Sequence, residues 1–347
     1  MKKFIAILMV SAMILASLAL AACSNTGDDT NTDGGDQPAA EDAALKFGFG
    51  LTTSVSATDA TADAKGAGQI TTTVAAVLVD EDGKIVKAFI DCADNKANYE
   101  ADGKAVATAS FKTKYELGND YGMTNPNYGG TATLEWYEQA DAFCSVLVGK
   151  TSDEVKALVA ENYKGTDDVI NAGCTIYVSD LATAVENAIT NATESKATKN
   201  DTLKIGVLTS QTNTDATADA DGSSKLETTF FAAAVDAEGK VTAASSDCVE
   251  VTFTFDNTGK STFDATKKVL SKKEKGDNYG MTNPAYGGTA TLEWYEQAAA
   301  FDATCIGKTA AEIANLMGAD YKGTADVQAA GCTIYVSGLV GAAKKIG

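Results

Sequence analysis

Two long passages of this chain are copies of each other. Residues 128–139 (YGGTATLEWYEQ) recur letter for letter at 286–297, and residues 172–179 (AGCTIYVS) recur at 330–337. Both keep one spacing of 158 residues, the separation of Gly173 from Gly331. Upstream, TDATAD at 58–63 returns at 214–219, 156 residues on, so one small insertion precedes the tyrosine-containing block. Two copies at this period describe a tandem pair of domains rather than a solenoid.

The N-terminus has a different character. Lys2 and Lys3 precede an apolar run from Phe4 to Leu20, then small residues, then Cys23 and polar Ser24. This order is that of a secretory signal peptide, 1–22, and the small residues before Cys23 resemble the lipobox of bacterial lipoproteins. The expectation is cleavage before Cys23, lipidation of that cysteine, and attachment to the bilayer at the extracytoplasmic face of the cell membrane. Residues 23–44 then read as the lipidated cysteine and an acidic tether too poor in large apolar side chains to fold.

Charge and residue choice exclude several functions. With 28 Lys+Arg against 47 Asp+Glu the chain carries −19, and every cation is lysine, since arginine and histidine are absent. Histidine acid–base chemistry and histidine-ligated metals are therefore impossible, as are bidentate arginine clamps. An acidic chain is repelled by nucleic acid, so no nucleic-acid partner is expected. Beyond Cys23 each copy has three cysteines, Cys92, Cys144 and Cys174, then Cys248, Cys305 and Cys332. No CxxC spacing occurs, and the odd number per copy favours buried thiols over a complete disulfide framework.

Each copy reads as strands in hairpins followed by helices. In the first, strands are expected at 47–55, 70–79, 85–91 and 106–115, with Asp82-Gly83 turning the second into the third. Apolar spacing predicts a helix over 134–147. A capping box at Thr151 and Glu154 opens another over 153–161, repeated by Thr309 and Glu312. A short strand at 174–178 leads to a last helix, 180–189, capped by Ser179. The fold class is α+β with antiparallel sheets, in two tandem domains, 45–190 and 203–347, joined by a polar linker, 191–202.

Three constellations in each copy could carry chemistry. Tyr121 and Trp136, with Tyr279 and Trp294 as counterparts, stand in glycine-rich blocks and could flank a planar ligand; they could equally anchor a core. Gly173 and Thr175, with Gly331 and Thr333, precede a helix start whose free N–H groups could steady a phosphate; the threonines could equally belong to an edge strand. Asp59, Thr61 and Asp63, repeated at Asp215, Thr217 and Asp219, lack the glycine and distal glutamate of a calcium loop and read as a solvated turn, so no metal is expected.

The ordered set DGKIV, GNDYGM, EWYEQ, VGKT and AGCTIYVSDL resembles the membrane-anchored lipoproteins of the FMN-binding domain superfamily. It is most similar to the two-domain flavinylated lipoproteins of Gram-positive flavin-based extracellular electron transfer. The resemblance implies FMN joined by a phosphoester to Thr175 and Thr333, installed by a separate FAD-dependent flavin transferase. It implies an electron carrier rather than an enzyme, taking electrons from a membrane quinone-linked donor to extracellular acceptors. The chain departs from the family's Ser-Gly-Ala-Thr motif in having Ala-Gly-Cys-Thr, and Asp168 and Asp326 are its candidates for the aspartate that usually precedes the motif. The competing reading is a surface binding module that keeps the fold without flavin; a hydrolase lacks the residues it would need.

Overall fold

The computed structural model describes residues 43–347, which form one compact unit. The signal peptide, Cys23 and nearly all of the tether lie outside the described residues. The unit is α+β, with two antiparallel sheets and short helices.

In the first half, β1 (Lys46–Thr58), β2 (Gly66–Val79) and β3 (Ile85–Tyr99) form a meander, extended at its edges by the two-residue strands β4 (Ala105–Val106) and β5 (Thr193–Glu194). In the second half, β6 (Thr202–Thr214), β7 (Gly222–Val235) and β8 (Val241–Phe255) repeat the meander as a three-stranded sheet. The β2–β3 hairpin turns at Asp82-Gly83 as expected: Asp80 Oδ1 accepts from the N–H groups of Asp82 and Lys84, and Gly83 takes a positive φ of 75°.

The two sheets face each other. On β2, Val74, Ala76 and Leu78 enter a core shared with Phe230, Ala232 and Ala234 of β7, while Ala75, Val77 and Val79 point the other way, into a core built with helices. Phe231, Ala233 and Val235 do the same in the second half. The layers therefore run helices, sheet, sheet, helices. Burial on both faces accounts for the unbroken apolar ends of β2 and β7, residues 74–79 and 230–235. The outer layer of the first half holds α1 (Lys114–Leu117), α2 (Trp136–Leu147), α3 (Ser152–Lys156), α4 (Asp167–Asn171) and α5 (Ser179–Thr190). The second half repeats them as α6 (Lys272–Lys275), α7 (Trp294–Cys305), α8 (Ala310–Ile313), α9 (Ala325–Ala329) and α10 (Ser337–Ala343).

The halves clasp each other reciprocally. Ala60 N–H donates to Gly259 O at 2.7 Å and Ala216 N–H to Gly103 O at 2.8 Å. Asp59 Oδ1 accepts from Ser261 N–H at 2.8 Å, and Asp215 Oδ1 from Ala105 N–H at 2.9 Å. The turn expected to be merely solvated thus ties one half to the other. Glycine is required at the tips of this clasp: a Cβ on Gly103 would lie 2.7 Å from the Asn257 backbone, and one on Gly259 2.7 Å from Glu100 O.

Several expected elements differ. The strand expected at 106–115 stops after Val106, because Gln211 of the opposite half takes its ladder partners: the amide accepts from Thr108 N–H at 2.8 Å and donates to Val106 O at 3.0 Å. Residues 174–178 form no strand; a single bridge joins Tyr177 to Lys164. The helix expected over 153–161 ends after Lys156, where Ala160 N–H turns to Lys164 O. Ser179 is the first helical residue of α5 rather than its cap, which is Val178. The polar stretch 191–202, expected as a linker, is an ordered strap. β5 pairs with Lys46 and Phe47, Leu45 N–H donates to Ala197 O at 2.8 Å, and Asp201 is buried. The six described cysteines are free, five of them buried, as their odd number per copy suggested.

Candidate functional site

The site is built around the end of the repeated AGCT block. Gly173 has φ 110° and Gly331 φ 111°, a region that L side chains rarely adopt. This bend sends Cys174 inward, fully buried, and leaves Thr175 exposed beside it. Burial pushes the Cys174 and Cys332 thiols up to about 11, so both are neutral packing groups at ordinary pH. The cysteine of the repeated AGCT block therefore faces the core, away from the hydroxyl.

Thr175 is held by a residue that the sequence reading did not single out. Its backbone N–H and its hydroxyl both donate to Oε1 of Gln139, at 2.9 and 3.0 Å. Thr333 does the same with Gln297, at 2.9 and 2.9 Å. Gln139 is itself buried on α2 and anchored by donation to Leu134 O at 2.9 Å. The signal was present in the sequence, since this glutamine closes the EWYEQ block in both copies.

The same block organises the glycine–aromatic loop. Glu135, buried just before α2, accepts from Met123 N–H at 2.9 Å and from Thr124 N–H at 2.9 Å and its hydroxyl at 2.5 Å. Glu293 repeats this with Met281 and Thr282. The threonine hydroxyl first, and then the backbone donors, hold both carboxyls below the usual range. The loop is thereby pinned so that Tyr121 and Met123 pack beside Trp136.

A cleft of about 320 Å³ reaches Ile176 and Tyr177, the residues that follow Thr175; Thr175 and Gly173 themselves are not in its lining. Lys114, Tyr121, Trp136 and Tyr177 line it, and the first turn of α5 closes one end with Ser179 and Asp180. Trp136 is only 5% exposed, so it serves as a core anchor and shows the cleft only part of its ring. Lys114 Nζ lies 5.3 Å from the Tyr121 ring centre and 5.6 Å from that of Trp136, within cation–π range. Tyr177, two residues past the hydroxyl, is two-thirds exposed at the rim. Asp168 and Asp326 sit exposed in the first turns of α4 and α9 and do not line the cleft.

The halves part company at the cationic end. In the second half Lys272 lies 3.2 Å from Glu227 and 3.2 Å from Glu250, and Lys225 joins Glu250 at 2.9 Å. The counterparts of Lys225, Glu227 and Glu250 in the first half are Gln69, Thr71 and Asp94, which bond among themselves. Lys114 makes no ion pair among the described residues. The first half thus presents a cation to its cleft, while the second half locks the equivalent lysine into a charge cluster.

No family model, curated protein or solved structure matches this chain.

Proposed function

We propose that the protein is a membrane-anchored, extracytoplasmic flavoprotein electron carrier, lipidated at Cys23, with FMN attached through phosphoesters at Thr175 and Thr333. The observation that carries this reading is the exposed threonine hydroxyl, oriented by a buried glutamine, just before Ile176 and Tyr177, which line a cleft together with aromatic rings, a lysine and the start of a helix. The residues fit the group. The hydroxyl is accessible, Tyr121 and Tyr177 offer flat surfaces with part of the Trp136 ring between core and cleft, and Lys114 offers positive charge.

FMN, when bound, supplies reversible electron acceptance; the chain supplies position. Gln139 fixes the direction of the Thr175 hydroxyl. In transfer from FAD, Thr175 Oγ1 forms the new bond to phosphorus and loses its proton, the pyrophosphate bond of FAD breaks, and AMP leaves. A transferase supplies the catalysis. Electrons would arrive from a membrane quinone-linked donor and leave to acceptors outside the cell. A surface module without flavin is the second reading, and the Lys272–Glu227–Glu250 cluster favours it for the second half.

Co-expression with an FAD-dependent flavin transferase tests the proposal. The expected result is a mass increase of one FMN less water at each site, lost at one site in Thr175→Ala, at the other in Thr333→Ala, and at both in the double variant. Covalent flavin persisting in the double variant would refute the attachment sites; no flavin on the wild-type chain would favour the binding module.

A further inference from the structure

The reciprocal packing of the halves creates two seams that are counterparts of each other, and only one is filled. In the filled seam, beside β3 and β6, Phe89 and Tyr115 meet edge to face with ring centres 4.9 Å apart, and Lys345 bridges to Glu116 at 2.7 Å. In the other, beside β8 and β1, the counterparts of Phe89 and Tyr115 are Ser245 and Lys273. The backbone has not moved to compensate: Tyr115 N–H donates to Asp91 at 3.1 Å, and Lys273 N–H donates to Asp247 at the same 3.1 Å. The counterparts of Lys345 and Glu116 are Asn187 and Glu274, which form no bridge; Asn187 donates instead to Leu51 O at 2.9 Å. The exchange of two rings and a bridge for short or retracted side chains leaves a pocket of about 950 Å³. Phe47, Phe49 and Leu51 line one wall, Ile306 another. It shares no lining residue with the cleft at Ile176 and Tyr177.

We infer that this open seam is a binding site for a planar aromatic acid, its ring system lying where Phe89 and Tyr115 lie in the filled seam and its anionic group meeting Lys273. The filled seam shows the shape of occupant this packing accepts, a pair of aromatic rings against an apolar strand wall. The charge follows from the pocket's polar groups. Asp247 accepts from Cys248 and Lys273 N–H groups, at 2.7 and 3.1 Å. Asp302 accepts from the N–H and hydroxyl of Ser246. Glu274 is held by Ser271 N–H at 2.8 Å and Lys268 at 3.4 Å. Glu194 pairs with Lys46 at 3.6 Å. These acids are engaged by the protein; burial pushes Asp247 and Asp302 up, while the charge of Lys273 acts to lower both. The Lys273 ammonium reaches only the Ser245 hydroxyl, at 2.8 Å, among its hydrogen-bond partners, which leaves donors for an anion. The position of the rings in the filled seam and the spare donors of Lys273 thus point to an aromatic acid.

Anilinonaphthalene sulfonate, an aromatic acid with environment-sensitive fluorescence, is the probe. Titration of the chain should show one saturable site. Grafting the filled seam into the open one, Ser245→Phe with Lys273→Tyr, should weaken binding by about tenfold or more, with circular dichroism confirming the fold. Lys273→Met alone should weaken the sulfonate severalfold while leaving neutral phenylnaphthylamine unchanged, and it decides the matter if the graft does not fold. No saturable binding, unaltered binding in the folded graft, or equal loss of both probes in Lys273→Met would overturn the inference.

Discussion

Tyr99 and Phe255 stack face to face, their ring centres 4.3 Å apart and their planes 12° from parallel. Each is the last residue of the third strand of its half, so each ring meets its own counterpart, as happens on the axis of a two-fold interface. The sheet surfaces around them cover each other, because the shared core draws residues from β1, β2 and β3 and from β6, β7 and β8, with Phe111, Phe263 and Val269 packed against it. Residues 43–347 should therefore unfold in one cooperative transition. Tyr99→Ala should cost about 3–5 kcal/mol, and Tyr99→Phe about 1 kcal/mol, for the loss of its hydrogen bond to Thr58 O. Denaturant unfolding followed by both fluorescence and circular dichroism measures this; two separated transitions would show that the halves fold independently.

The glutamine that holds each threonine gives a second prediction. Gln139→Leu keeps the volume on α2 but leaves Thr175 N–H and Leu134 O without partners, a loss of about 1–3 kcal/mol. The Thr175 hydroxyl is then free to turn. In the presence of the transferase, modification of the peptide bearing Thr175 should fall several-fold while that of the peptide bearing Thr333 stays constant. Peptide mass spectrometry reads both sites in one sample, so the second half is an internal control for expression and folding.

Two carboxyls, buried Asp91 and half-buried Glu250, respond to acid in opposite directions. Burial pushes Asp91 up to about 6. Below the ordinary aspartate range it is protonated whether folded or not; between there and about 6 the folded form holds the extra proton, so this group's stabilisation is lost as pH rises across that window. Glu250 behaves in reverse. Burial opposes its charge, but the hydrogen bond from Lys225 and the charge of Lys272 lower it to about 2. Its contribution is complete above the ordinary glutamate range and is lost as pH falls toward about 2. Stability measured from pH 3 to pH 7 should show Asp91→Asn flattening the upper part of the profile relative to wild type and Glu250→Gln flattening the lower. Parallel profiles for wild type and Asp91→Asn would show that this carboxyl titrates normally.

Much of this fold was legible because period and turn chemistry act locally. Alternation and the Asp82-Gly83 turn mark the β2–β3 hairpin, and the helical spacing that ends at Leu147 marks α2. What escaped reading depends on contacts between halves. The strand expected after Val106 is ended by Gln211, more than a hundred residues away, and no local pattern announces that. The stretch 191–202 is polar in composition, yet its backbone finds partners at Leu45, Lys46 and Phe47. At the site, Thr175, Gly173, Tyr121 and Trp136 were legible because the duplication preserves them. Lys114 was not, for it lies outside the identical blocks, and its meaning appears only when the environments of Lys114 and Lys272 are set side by side.

That comparison supports a final prediction. Lys272 is 6% exposed and shared between two carboxylates, so Lys272→Met leaves Glu227 facing Glu250 with only Lys225 nearby. Removing one partner of a buried pair costs about 3–5 kcal/mol, and a value toward the lower end is expected here because Lys225 remains. Lys114→Met removes a cation that forms no ion pair among the described residues, though Asp94 favours its charge, and should change stability by less than about 1 kcal/mol. The functional consequence runs the other way. Lys114 is the cation a bound anion can reach, so Lys114→Met should weaken retention of free FMN by the chain, and Lys272→Met should not, provided thermal melts confirm that it remains folded at the assay temperature. Replacing Glu227 by threonine, with Glu250→Asp and Lys225→Gln, gives the second half the first half's polar set and should release Lys272 from its carboxylates. The triple variant should then bind a second equivalent of FMN in equilibrium dialysis. A stoichiometry unchanged from wild type would mean that the charge cluster is not what separates the two halves.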